Sequence, residues 1–379
     1  EEFCGGHRIE GAAKLMLSVH ESRCGIALAQ GRYGPALDDS RQLGVLANRL
    51  DLKDKSVLAR LLAGRIYLTR GQEGDFKLAL ARYRSAEKEA ARDRVQSLEA
   101  RNGQARVLLE MGNLEDAVSL SRQALSSLGR RRRVPEVREV ILEARLLRTY
   151  GSSLMRQGRH PEAIKVFDSA LELVEKSQDN TCQPIRAQLL NSKALALGSS
   201  FKLKEALDTY YLARSLARKV GDVTLQLLIM NNMSVALNDS GQNTKALDLL
   251  VSSYETISRL AGESRALAGF EFNIGESYHF MGDFPRAELH YRRALAITRQ
   301  IRSRQFQVTI MYNLGEVLRD QDKEEEARQV LDEGAGVAKK FGYHQQLLDL
   351  ENILGEMDLA AGRVEAATRR HREAVAVAR

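Results

Sequence analysis

Asparagine and glutamate recur along this chain in a pattern that packing alone does not require. Asn102, Asn191, Asn231, Asn232, Asn273, Asn313 and Asn352 each stand just before a small residue, and Glu276, Glu316 and Glu356 follow about a turn later in the last third. Asn273 with Glu276 and Asn313 with Glu316 are i, i+3, and Asn352 with Glu356 is i, i+4, so on a helix each pair shares a face. Asparagine is a modest helix former, which makes its repeated use worth explaining. A side-chain amide offers donor and acceptor together, and a ladder of amides suits the alternating N–H and C=O groups of an extended peptide. The glutamates would then select basic or donor-rich partners. His279 with Phe280, and Arg319 with Asp320, lie further along the same faces. The competing expectation is that these side chains brace one helix against the next.

Signatures of catalysis are missing: there is no Walker phosphate loop, no HExxH and no GxSxG. Glu276 and His279 have the Glu-x-x-His spacing of di-iron bundles, but such sites need a second copy and two further carboxylates, and no second copy occurs. The expectation is a chain without enzyme activity, metal or cofactor. The run Arg130, Arg131, Arg132, Arg133 follows Gly129 and precedes Pro135. Basic residues suit a helix C-terminus, and contact with an anionic partner is the alternative. No aromatic residue is interleaved for stacking on bases, so nucleic acid is not an expected partner.

The chain has 379 residues, 44% hydrophobic, with 5 prolines and no tryptophan. That is ample material for a core built of helix formers. Residues 1–150 hold 27 Lys+Arg against 20 Asp+Glu, which accounts for the whole formal net charge of +7. A taste for an acidic partner therefore belongs in the first part. Cys4, Cys24 and Cys182 fit neither a disulfide framework nor a metal knuckle, which suggests a reducing, cytoplasmic setting. No apolar run reaches the roughly 18 residues of a membrane span. The first residue is Glu1 and no charged-then-apolar leader follows, so a piece of a longer protein is expected.

A fixed-period phrase, glycine followed five residues later by alanine, positions these side chains. It appears as GRYGPA (31–36), GDFKLA (74–79), GNLEDA (112–117), GRHPEA (158–163), GQNTKA (241–246), GDFPRA (282–287) and GRVEAA (362–367). FKLKEA (201–206) and DKEEEA (322–327) have lost the glycine. The nine frame alanines, Ala36, Ala79, Ala117, Ala163, Ala206, Ala246, Ala287, Ala327 and Ala367, are spaced by about 40 residues. Seven residues on, a small residue recurs in eight units, with Leu43 the exception; twelve residues before, another recurs in eight, with Tyr67 the exception. Such spacing puts small side chains on one helix face, where two helices can approach closely. Pro35, Pro161 and Pro285 suit the first turn of a second helix. Nine helix–turn–helix units are expected, near 9–50, 55–90, 93–128, 136–176, 182–219, 222–260, 263–301, 303–341 and 345–379.

The frame resembles the tetratricopeptide repeat family, best in NIGESYHFMGDFPRAELHYRRAL (273–295). The period is nearer the extended variety of Leu-Gly-Asn-type scaffolds and of sensor arms in bacterial signalling ATPases and transcription activators, and ARKVGD (217–222) and SRLAGE (258–263) are similar to their junctions. The resemblance implies an all-α, right-handed superhelical solenoid over 1–379, with degenerate repeats in 1–90 and clearer ones in 93–379. It also implies a concave groove lined by the first helices, in which a non-catalytic scaffold captures a peptide or partner protein. The alternative is the regulatory arm of a multidomain signalling protein. The last helix keeps an apolar stripe of Val364, Ala367, Val375 and Ala378, so self-association through the final hairpin is a further expectation.

Overall fold

The computed structural model describes residues 2–72, 74–90, 93–128, 136–261 and 264–378. Its eighteen α-helices pair in sequence: α1 (Glu2–Ala29) with α2 (Tyr33–Arg49), α3 (Lys53–Arg70) with α4 (Asp75–Glu89), α5 (Arg94–Glu110) with α6 (Leu114–Leu128), α7 (Val137–Arg156) with α8 (His160–Ser177), and α9 (Gln183–Gly198) with α10 (Leu203–Lys219). Then come α11 (Val223–Asp239) and α12 (Asn243–Ala261), α13 (Arg265–Phe280) and α14 (Phe284–Gln300), α15 (Arg304–Arg319) and α16 (Glu324–Phe341), and α17 (His344–Ala360) and α18 (Val364–Ala378). No strand occurs among the described residues. The helices gather into two compact units, Glu1–Ala236 and Leu237–Arg379, each a stack of hairpins.

The frame alanines explain how the hairpins close. All nine are completely buried. In four units the glycine twelve before the alanine faces the large side chain four after it. A Cβ at Gly151 would fall 2.6 Å from the Phe167 ring, one at Gly275 2.9 Å from Tyr291, one at Gly315 2.4 Å from Leu331, and one at Gly355 2.8 Å from His371. Any side chain there would overpack the crossing. The exception at Tyr67 has a local reason. In that hairpin the close approach moves back to Gly64, and Tyr83 is clasped from the other side by Gly103 on α5.

The turns are left-handed where glycine recurs, as at Gly112, Gly158 and Gly282 (φ 81°, 76° and 76°). The two units that lost the glycine keep the geometry: Phe201 has φ 58° and Asp322 φ 58°. A bulky residue there is strained, and Phe201 is 90% exposed, so no packing compensates it.

Within the first unit the first helices also touch one another, α3 against α5, α5 against α7 and α7 against α9; in the second, α15 meets α17. Ion pairs tie successive hairpins. In the second unit buried Asp358 accepts from Arg328 (2.8 Å), Arg363 (2.9 Å) and Arg370 (3.1 Å), and Arg370 also reaches Glu351 (3.0 Å) and Asp332 (2.9 Å). Buried Glu271 of α13 accepts from Tyr254 of α12 and meets His290 Nδ1 of α14 at 2.6 Å.

Candidate binding faces of the first helices

In the first unit the asparagines brace helices. Asn102 Oδ1 of α5 accepts from Thr149 Oγ1 of α7 at 2.7 Å, and Asn232 Nδ2 of α11 donates to Asn191 Oδ1 of α9 at 3.1 Å. Asn191 is 6% exposed. Asn231 is half-buried and engaged. Two hairpins place arginine where six others place asparagine: Arg65 on α3 and Arg148 on α7 stand fourteen and fifteen residues before their frame alanines, as Asn273 and Asn191 do. Arg106 on α5 stands eleven before, the position of Glu276, Glu316 and Glu356. Arg145 lies one turn before Arg148 and pairs weakly with Glu99 at 3.9 Å.

Other arginines of this unit are matched: Arg60 with Glu89 (2.8 Å), Arg70 with Asp75 (2.5 Å) and Arg101 with Glu87 (2.6 Å). Among the described residues, no ion pair forms to Arg65, Arg106 or Arg148, and Arg148 Nε is buried with no hydrogen-bond partner. Burial, and then the charges of Arg106 and Arg145, hold the Arg148 guanidinium down to about 9.

In the second unit the same positions carry acids and amides. Asn273 is 5% exposed, so it belongs to the packing layer. Glu276 is half-buried; burial first, and the Asp239 charge second, push its carboxyl up to about 7 against a hydrogen bond to Asn238. Asn238 is fixed in turn by Ser277 at 3.1 Å. Glu316 is also half-buried and accepts from Tyr312 at 3.2 Å. Burial raises its carboxyl, opposed by that bond and by His279. The Tyr291 ring packs on Gly275; burial and then the charges of Glu276 and Glu316 raise its phenol, and its buried hydroxyl has no hydrogen-bond partner among the described residues. Asn313 is half-buried and donates to Thr309 O in its own helix at 2.9 Å, while Asn352 and Glu356 are exposed.

The remaining sequence candidates pair with each other. His279 Nε2 lies 2.9 Å from Asp320 Oδ2, its ring edge-on to Phe284 at 5.8 Å and beside the exposed Phe280. Arg319 lies 3.7 Å from Glu356, a pair open to water. Among the described residues, no group of three His, Cys, Asp or Glu side chains is placed to hold a metal, and no helix is long and apolar enough to cross a membrane. Arg130, Arg131, Arg132 and Arg133 lie outside the described residues. On α18, Val364 and Val375 are exposed and Ala367 is buried; Ala378 lies outside the described side chains.

Family models described as "Tetratricopeptide repeat" match residues 142–221, 225–300 and 272–338, which together are half of the chain. The chain belongs to the tetratricopeptide repeat family. No curated protein sequence matches this tetratricopeptide chain. Its fold is similar to that of a Rap protein complexed with competence and sporulation factor (16% identity, 85% of this chain and 98% of that one, TM-score 0.60). It is also similar to a signal transduction ATPase with numerous domains and a tetratricopeptide repeat sensor from Pyrococcus horikoshii (14% identity, TM-score 0.59), covering 89% of this chain and 53% of that one. NprR in complex with its cognate peptide NprX matches at 15% identity over 73% and 77% of the two chains, with a TM-score of 0.53. Identities this low speak for a shared repeat fold alone.

Proposed function

We propose that this chain is a non-catalytic recognition module whose second unit binds a basic, donor-rich peptide segment on the polar face of α13, α15 and α17. The observation that carries this reading is the pair Glu276 and Glu316. Both carboxyls are half-buried, both are held above the usual carboxylate range, and no ion pair to either forms among the described residues. A structural brace would match such charges, because an unmatched half-buried acid costs stability. A lysine or arginine laid between them would favour the ionised form of both and draw a proton off Glu276 on binding. Asn313 on α15, beside Glu316, and Asn352 on α17 add amides for a peptide backbone. Complexes of similar folds with a peptide, NprR with NprX among them, agree with that use of the fold.

Labelled hexalysine with the variants Asn313→Ala and Glu316→Ala tests the proposal. Each variant is expected to weaken binding by about 1–3 kcal/mol while the melting temperature stays near wild type. Binding should also weaken as salt rises past ~0.15 M, where screening reaches below about 8 Å. A fall in stability with unchanged affinity would make both residues braces. A second reading, the sensor arm of a larger signalling protein, draws on the likeness to the Pyrococcus horikoshii ATPase, about half of which this chain spans. It uses the same face, and the neighbouring coding sequence decides it.

A further inference from the structure

The arginines of the first unit are a different surface with a different problem. Arg65, Arg106 and Arg148 come from three successive first helices that pack side by side. The helices are pinned where the arginines emerge. Tyr83 fills the gap between Gly64 and Gly103, one residue before Arg65 and three before Arg106, and the Thr149–Asn102 bond of 2.7 Å adjoins Arg148. The guanidiniums therefore cannot drift apart by helix motion. They raise each other's energy: burial first, then Arg106 and Arg145, lower both Arg65 and Arg148. Glu99 lies 3.9 Å from Arg145, on the edge of the group. Elsewhere in the same unit arginines are matched at 2.5 to 2.8 Å. An unmatched, half-buried guanidinium whose Nε lies buried without a partner is costly to keep.

We propose that Arg65, Arg106, Arg145 and Arg148 form an oxyanion-binding row that takes a peptide segment carrying several carboxylates. Guanidinium forks match carboxylate and phosphate alike, and the width of the row chooses between them. First helices of neighbouring hairpins lie about 8–10 Å apart, so three of them spread the arginines over roughly 16–20 Å. One phosphate reaches only the donors within about 3 Å of its oxygens. An extended chain of about six residues covers the whole row.

The probe is fluorescein-labelled hexaglutamate, read by anisotropy at low salt on the full chain. The wild type should bind, and Arg106→Gln and Arg148→Gln should each weaken binding at least tenfold. Their melting temperatures should stay at or above wild type, since an unmatched charge is removed. Arg148→Lys should weaken binding less than Arg148→Gln, keeping the charge and losing the fork. Joint replacement of Arg130, Arg131, Arg132 and Arg133 by glutamine should leave affinity within twofold, which separates the row from the other basic run of the sequence. Affinity unchanged in both single variants, or lost in the 130–133 variant, overturns the proposal. So does inorganic phosphate that displaces the peptide at equal concentration, because a single-anion pocket would then suffice. A fall in melting temperature large enough to explain the lost binding in both Arg106→Gln and Arg148→Gln overturns it too, by making the arginines structural. The basic-peptide reading of the second unit stands or falls separately, since it rests on different helices and the opposite probe.

Discussion

Hairpins two to four and hairpins seven to nine are built on one frame and present opposite charge from it. Eleven residues before the frame alanine stands Arg106 in one region and Glu276, Glu316 and Glu356 in the other. Where Asn273, Asn313 and Asn352 stand in the later hairpins, the earlier ones offer Arg65 and Arg148. The small residues of the repeat decide which direction a first-helix side chain emerges, because Gly275 and Gly315 must face the large residues Tyr291 and Leu331. They leave the identity of the emerging side chain unconstrained. A repeat can thus hold its packing constant and change the chemistry of its face hairpin by hairpin.

The sharpest contrast is between matched and unmatched arginines. Asp358 accepts from three arginines in the second unit, so Asp358→Asn is expected to cost about 3–5 kcal/mol, the usual penalty for stripping one partner from a buried network. Arg148→Gln should cost nothing by the same logic. Equal losses in thermal melts would erase the distinction. The packing frame, unlike the charge, is common to both regions. Ala117→Leu in one and Ala287→Leu in the other should therefore cost alike, about 1–3 kcal/mol each, through overpacking.

The acidic face makes a pH claim. A carboxyl whose folded pKa of about 7 exceeds its ordinary 4.5 makes the folded state bind its proton more tightly. Stability then falls as pH rises from 4.5 through 7, and Glu276→Gln removes the loss. After allowance for partial exposure, the variant should gain on the order of 1–2 kcal/mol at pH 8 and almost nothing at pH 4.5. Equal melting at both pH values would show the carboxyl to be well solvated. The smallest effect belongs to the turns: Phe201→Gly should stabilise by about 0.5–1 kcal/mol by relieving the left-handed strain at φ 58°.

The hairpin frame was legible in the sequence because small residues at fixed intervals have one packing explanation, and all nine frame alanines are buried as the spacing required. Tyr67 shows where the frame could not be read: the close approach slid back one turn to Gly64, and only three dimensions show Tyr83 reaching it. The asparagine series split for a similar reason. Asn102, Asn191 and Asn352 all stand fifteen residues before their frame alanines, yet Asn102 and Asn191 bond to a neighbouring helix and Asn352 is exposed. Whether an amide finds a cross-helix partner depends on what stands opposite, such as Thr149 or Asn232, and register alone does not give that. The arginine row had a visible signal, arginine in asparagine slots within the segment that holds the whole net charge.

The central claim is that register-equivalent faces recognise opposite charge. It is tested by measuring hexalysine and hexaglutamate affinities for two double variants, Glu276→Gln with Glu316→Gln and Arg106→Gln with Arg148→Gln. Each double variant should weaken its own peptide at least tenfold and leave the other within twofold. Variants that weaken both peptides together, or neither, would contradict it.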